Sequence, residues 1–583
     1  MTLAELARYF LKLEETASRN LMTELLAELF RAAEKDEIGK ICYLLQGRVV
    51  PLYEAREFGM AEKFMVRAIA QAFGTTAEVV QKEFKQVGDL GLAAENIKNR
   101  SPKVKNTTPK LGIKEVYQQL YEITDISGEG SQEQKINKLS RLLVQVDGLS
   151  VRYLVRIPLD KLRLGFSDMT ILDALSWMLA DDKSLRPRLE DTYNVRPDIG
   201  YLAETVKTHG VKGLVHVKVK VGAPILAALC QRLPTAEEMI KKMGKVAVEP
   251  KYDGVRVQIH YQKTVRQEDG KTGRVKTFSR NLENTTNMFP ELQHINQQLK
   301  ASEVILDSEA VGVDPKTGRL IPFQETMTRK RKHEIEKVSR GVPLKFFVFD
   351  ILYRDSENLL KTPLSERRKL LEATVKSGKI LIISPQIVTD RPEELRRYHY
   401  EQLKQGLEGA VVKKWNSPYE PGRRGFVWVK FKEEEGKHGK LTDTIDAVVM
   451  GYYRGQGKRA GFGIGAFLVG VREGDSFVTV TKIGTGVSDE LWQELEKKLQ
   501  EIKVTDKPKE YREVNKIFLP DVWVLPQVVV EVAGDDLTRS PTHGAGIAVR
   551  FPRLVRLRTD KSPAQATTAK EVERMYRLQG VKS

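Results

Sequence analysis

Along the first 215 residues apolar positions recur three and four apart. Leu3, Leu6, Phe10 and Leu13 form one stripe, and Leu21, Leu25, Leu26 and Leu29 form the next. That spacing predicts amphipathic helices, with Thr16 and Ser18 as caps or turns between them. The polar, proline-containing stretch 101–112 reads as a linker between helices. From Val246 the period drops to two. Val255, Val257, Ile259 and Tyr261 alternate with Arg256, Gln258, His260 and Gln262, a half-buried strand. The two glycines of EDGKTGR (268–274) suit a hairpin tip. VILDSEAVGV (304–313) and KFFVFDIL (345–352) read as further strands, and PLSERRKLLEATV (363–375) as a helix opening on proline. After the charged stretch KEEEGKHGKLTD (432–443), short apolar runs separated by turns follow: IDAVVMGYY, AFLVGVRE, FVTVTKIG and VVVEVAG. They predict a small β-barrel, of which the OB-fold is one form. The order is therefore helical, then mixed α+β with much antiparallel sheet, then barrel, without internal repeats.

The 583 residues suffice for three or four domains. Apolar residues make up 41% and charged residues 30%, a soluble globular profile. No run reaches the roughly 20 apolar residues of a membrane span. MTLAELARYFLKLEE lacks a signal-peptide pattern. Two cysteines, Cys42 and Cys230, exclude a disulfide framework and fit a reducing cytoplasm. The net charge of +18 favours a polyanionic partner through counterion release, though a solvated basic surface would show the same balance. Chemistry has to come from motifs.

The sharpest motif is EPKYDGVR (249–256). Read blandly, it is a surface lysine before an Asp-Gly turn. Read functionally, it opens a strand that holds Lys251 on a rigid edge. Lysine is a nucleophile only when deprotonated, and its free pKa is about 10.4. Cationic neighbours or a metal would have to lower it. The chain offers candidates in order: Arg280 in FSRNLENTT; Asp307 and Glu309 on one strand face; Phe349 and Asp350 in FFVFD; Glu408 and Lys413 in LEGAVVK; Arg424, Lys430 and Lys432 in GRRGFVWVKFK; and Arg558, Asp560 and Lys561 in RFPRLVRLRTDKSPAQATT. The basic run RKRK (329–332) reads as a solvated or DNA-facing segment rather than a nuclear address. His333 and His543 have no metal-ligand spacing around them.

This ordered series resembles the six nucleotidyltransferase motifs of ATP-dependent DNA ligases. TVTKIGTGVSDE (479–490), the two basic passages just named, EFGMAEKFMVRAIA (57–70) and RYLVRIPLDKLRLGFSDMTILDAL (152–175) extend the likeness over nearly the whole chain, closest to the compact archaeal type. The resemblance implies a multidomain protein: an all-α DNA-binding domain (1–218), an α+β adenylation domain (219–432) and an OB-fold domain with a C-terminal helix (433–583). It implies sealing of nicked duplex DNA in replication, repair and recombination, by a cytoplasmic monomer (nucleoid-associated if prokaryotic), with ATP and Mg2+.

By that resemblance Lys251 carries AMP. Glu249 accepts from the adenine amino group and Phe349 stacks on the ring. Arg256 and Arg280 contact ribose or phosphate. Glu309 holds the ribose or a metal-bound water and acts with Glu408 at Mg2+. Arg424, Lys430 and Lys432 grip the α-phosphate, while Arg558 and Lys561 orient the outgoing pyrophosphate. The stretch 432–443 is the hinge on which the barrel moves. Asp307 reads equally well as a brace for the sheet and Phe349 also as core; Asp350 and Lys413 read as supports. Two departures stand out. LAALCQRL (226–233) replaces the expected basic residue and Pro-Met, which shifts a phosphate contact to Arg232 or removes it. No glutamine precedes paired aromatics at the spacing of a sliding-clamp motif. An RNA ligase or capping guanylyltransferase would share the K-x-D-G chemistry, but not the helical N-terminal region or the C-terminal passage. An inert nick binder would need no nucleophile.

Overall fold

The computed structural model describes the chain except residues 17, 102–110, 163, 265–272, 322–342, 423–424, 432–443, 456–462, 485–486, 535 and 581–583. RKRK (329–332), His333, Arg424, Lys432, the hairpin tip and most of both linkers thus lie outside the described residues. The chain divides into two compact units, Met1–Lys432 and Glu433–Ser583.

The first unit opens with helices. Leu3–Glu15 starts at a capping box in which Thr2 and Glu5 satisfy each other's backbone N–H groups. Its stripe of Leu3, Leu6, Phe10 and Leu13 is buried. The next helix, Arg19–Ala32, is capped by Ser18. Its buried stripe is Met22, Leu26, Leu29 and Phe30, whereas Leu21, expected in that stripe, stands 43% exposed. The rows i, i+4, i+7 and i+8 face the core, and Leu21 falls one position outside them. Helices continue to Ile199–His209 and a 3-10 turn at Gly210–His216. One large apolar core runs through them.

Two sheets follow. The first has five strands in the order Gln231–Arg232, Trp428–Phe431, Ala410–Lys414, Val246–Pro250 and Ile387–Thr389, antiparallel except for the first pair. The second runs Gly273–Ser279, Val255–Lys263, Glu303–Gly312, Leu344–Arg354 and Glu357–Asn358, all antiparallel, with Leu381–Ile383 added parallel to Leu344–Arg354. The chain passes from one sheet to the other between Pro250 and Val255. Lys251 therefore stands in the crossover and not at the start of a strand. Pro250, which donates no N–H, ends one ladder. Gly254 then passes so close to the neighbouring strand that a Cβ there would lie 2.5 Å from the Ala310 carbonyl oxygen.

In the second unit Ile445–Arg454, Ile464–Glu473 and Ser476–Ile483 are consecutive antiparallel neighbours in a seven-stranded sheet. Val529–Ala533 and Arg553–Leu557 extend it. Alternate residues of these strands and Trp492, Leu495 and Leu499 of helix Asp489–Glu501 form one core. The chain ends in helix Ala569–Gly580.

Asp350 and Arg367 form an ion pair with both side chains fully buried, at 2.8 and 2.9 Å. Arg367 also donates to the carbonyls of Thr362 and Ser417, at 2.5 and 3.3 Å, so it ties the Leu364–Thr374 helix to Leu344–Arg354 and to the loop after Lys414. Replacing Asp350 by Asn should leave a buried guanidinium uncompensated and destabilise the first unit by about 3–5 kcal/mol. An unfolding free energy within about 0.5 kcal/mol of the parent's would show that the pair is not structural.

Candidate active site

Lys251 is clasped through its backbone. Its N–H donates to the Gly409 carbonyl at 2.9 Å, and its own carbonyl accepts from the Glu408 N–H at 3.2 Å. Gly409 has φ +117°, and a Cβ there would lie 2.4 Å from the Phe431 carbonyl oxygen, so only glycine fits this bend. The ammonium of Lys251 pairs with the Glu408 carboxylate, and both side chains remain partly open to solvent. The next residue, Tyr252, stacks on Phe347 of the second sheet, with centroids 4.2 Å apart and planes at 20°. The crossover is thus pinned on both sides, and neither Tyr252 nor Phe347 stood out in the sequence.

Strand register then assembles the walls. In the first sheet Glu249 opposes Val411, and Lys413 opposes Trp428; Val411 opposes Lys430, beside Arg232. Opposed residues share a face, so these polar groups all look the same way. Lys413 donates to both oxygens of Glu249 at 2.9 Å, and the two side chains are 1% and 3% exposed. Burial pushes the Glu249 carboxyl up, and the Lys413 charge opposes that shift. A carboxylate offers about four lone-pair directions, so Glu249 keeps acceptor capacity beyond Lys413.

In the second sheet Arg256 opposes Glu309. The guanidinium is tied to Asp307 at 3.0 and 2.6 Å and donates to the Ala228 carbonyl at 2.7 Å. Tyr419 donates to the same Asp307 at 2.7 Å. Asp307 is therefore a brace, and Arg256 enters the site already partnered. A bulge between Asp307 and Ser308 makes Asp350 and Val348 their successive partners, leaving Phe349 out of register. Bulges re-aim side chains. Phe349 is accordingly only half-buried, edge-on to Trp428 at 5.9 Å, with the Lys413 ammonium 4.5 Å from its ring centre.

Positive charge converges here. The Cys230 thiol, raised by burial, is opposed by Arg256, Lys413, Lys251 and Lys430 together. The carboxyl of Glu309 is pushed up to about 8 by burial, against the pull of Arg256 and Lys251. Among the described residues no group of three or more His, Cys, Asp or Glu could hold a metal. Glu309 and Glu408, one acting on Lys251 and the other paired with it, fit instead an ion such as Mg2+, which takes one or two carboxylates and completes its shell with substrate phosphates and water. Arg280 is exposed in the turn after Gly273–Ser279. In the second unit Arg558 and Lys561 both bind Asp446, at 2.8 and 2.5 Å.

The raised carboxyl of Glu309 has a stability consequence. As pH rises above about 4.5, the unfolded state loses this proton first, so the folded state binds more protons and stability declines until about pH 8. Glu309→Gln removes that decline. The variant, without nucleotide or metal, should melt higher than the parent at pH 8 and equally at pH 4.5. Equal melting temperatures at both pH values would contradict a raised carboxyl.

Comparisons with known proteins agree along the chain. Residues 2–176 match the family described as DNA ligase N terminus, residues 224–432 the ATP dependent DNA ligase domain, and residues 460–561 the ATP dependent DNA ligase C terminal region. The "Probable DNA ligase" of Dictyoglomus turgidum is 44% identical over 590 residues, covering 99% of this chain and 98% of that protein. The "DNA ligase" of Acidianus ambivalens is 37% identical over 598 residues, covering 98% and 97%. The solved structure of Pmar-Lig_Pre, 15% identical, shares the fold over 95% of this chain and 99% of its own, with a TM-score of 0.53. With family matches along most of its length and relatives 37% and 44% identical over nearly all of it, this chain belongs to the ATP-dependent DNA ligases.

Proposed function

We propose that Lys251 is the residue that carries AMP while this ligase seals nicks in duplex DNA. The observation that carries the reading is the clasp: a lysine fixed through its backbone by Gly409 and Glu408, with its ammonium on a carboxylate. In the first step the Lys251 Nζ lone pair attacks the α-phosphorus of ATP, the bond to the β-phosphate oxygen breaks, and pyrophosphate leaves. In the second, an oxygen of the nick's 5′-phosphate attacks the same phosphorus, and the lysine leaves. In the third, the 3′-hydroxyl attacks the activated 5′-phosphate, and AMP leaves.

The Nζ must give up a proton before it attacks. Its Glu408 partner therefore has to be engaged elsewhere as ATP binds. Mg2+ held by Glu309 and Glu408 would neutralise phosphate charge. Glu249 accepts from the adenine amino group, and Phe349 offers a ring face to the base. Arg256, oriented by Asp307, presents the Nη1 N–H that Asp307, Ala228 and Tyr419 leave to ribose or phosphate. Lys430 faces the α-phosphate, with Arg424 and Lys432 in the same role by the family motifs; Arg280 contacts ribose or phosphate, and Arg558 and Lys561 serve the outgoing pyrophosphate. The charge of +18 suits a duplex read through its backbone, as an enzyme that accepts any sequence requires.

Lys251→Ala should abolish enzyme–AMP formation from radiolabelled ATP and the sealing of plain nicks, while nick binding stays and pre-adenylated nicks are still sealed in part. Parental levels of protein-bound AMP in this variant would place the nucleophile elsewhere. Nick affinity should fall with salt at a log–log slope of about −0.9 per phosphate contacted, nearly independent of sequence. A flat salt response or a strong preference for one base context would exclude backbone reading.

A further inference from the structure

Asp446 is the second residue of strand Ile445–Arg454 and its side chain is 12% exposed. Its two oxygens are divided between two cations: Oδ1 accepts from Arg558 Nη1 at 2.8 Å, and Oδ2 from Lys561 Nζ at 2.5 Å. Its backbone is tied to the same downstream segment. The Asp446 N–H donates to the Thr567 hydroxyl at 2.9 Å, and the Thr567 N–H donates to the Asp446 carbonyl at 2.8 Å. Strand Ile445–Arg454 is in turn fixed between Ile464–Glu473 and Val529–Ala533. Asp446 is thus an immobile anchor from which both cations are held.

The other anion on Arg558 differs in kind. Asp560 takes Nε and Nη2 at 2.8 and 2.7 Å, but its side chain is 60% exposed. Glu531 lies 3.8 Å from Nη1 and is already engaged by Arg556 at 2.6 Å and by the Thr444 hydroxyl at 2.7 Å. A phosphate can displace an exposed carboxylate from one edge of the guanidinium far more readily than a buried one. With Asp446 kept in place, Arg558 and Lys561 would meet the phosphate as a preset pair. Two charge-assisted donors held in register cost little ordering when the phosphate arrives.

We propose that Asp446 is a positioning residue for the adenylation step, holding Arg558 and Lys561 as one pyrophosphate-binding pair. This rests on the reading that these two cations serve pyrophosphate. It also explains why a carboxylate sits against cations meant for an anion: it fixes their geometry on the barrel's rigid strand, and only the exposed partner has to give way.

The test uses the full-length enzyme and two reactions. The first is reversal of adenylation, in which inorganic pyrophosphate attacks the enzyme–AMP phosphorus, regenerating ATP and free lysine. The second is sealing of pre-adenylated nicks, which involves no pyrophosphate. Asp446→Asn should raise the pyrophosphate KM about tenfold and leave sealing of pre-adenylated nicks within about twofold, at an unchanged melting temperature. Asp446→Glu, which restores the charge, should recover part of the loss. Combining Asp446→Asn with Arg558→Ala should cost less than the sum of the two, since one of the two contacts of Asp446 is then already gone. An equal fall in both reactions with a lowered melting temperature would make Asp446 structural and overturn the inference. So would an unchanged pyrophosphate KM in Asp446→Asn when Arg558→Ala raises it. An unchanged pyrophosphate KM in both Arg558→Ala and Lys561→Ala would instead remove the underlying reading, a different failure visible in the same data.

Discussion

Burying charge between two sheets is the constraint around which the catalytic region is organised. Asp307 and Asp350 face each other across neighbouring strands and are each 1% exposed. Two carboxylates so placed would repel strongly unless each were neutralised. Arg256 neutralises the first and Arg367 the second. A third buried pair, Glu249 with Lys413, lies on the facing sheet. These pairs link residues 17 to 164 positions apart, so the sheets, the Leu364–Thr374 helix and the loop through Tyr419 have to be in place together.

The site inherits its properties from that arrangement. Arg256 and Glu249 are rigid because their partners are buried. Phe349 meets Trp428 and the Lys413 ammonium because the strand carrying Asp350 bulges where it brings that carboxylate opposite Asp307. Lys251 is bound to a carboxylate that solvent reaches, Glu408 at 35% exposure. The proposed nucleophile is therefore placed where a change of partner is cheapest, and the groups proposed to recognise the nucleotide are placed where change is costly. The C-terminal unit repeats this division on a smaller scale. Asp446 is fixed and Asp560 is open, with Arg558 bound between them.

Much of this was legible in the chain itself. A period of three to four residues marked the helices as far as His216, and alternation marked the strands, because each side chain's face follows from local backbone geometry. The ordered motifs carried the chemistry, since phosphoryl transfer from a lysine needs a nucleophile, carboxylates and cations whatever encloses them. The role of Asp350 as a support was readable, while Asp307 could be read two ways.

What the sequence determined by itself was the kind of elements, their order and the family; the reactive residues it nominates remain those of the proposal. The tertiary structure alone decided that Lys251 lies in a crossover between two sheets, that Asp307 rather than solvent or substrate holds Arg256, and that Phe349 leaves its apolar run through a bulge. It decided as well that Leu21 falls outside the core and that Tyr252 meets Phe347. The physical reason is the range of the interactions. Periodicity reports on neighbours within one turn or two strand positions, whereas pairing register, bulges and buried ion pairs depend on segments a hundred or more residues away.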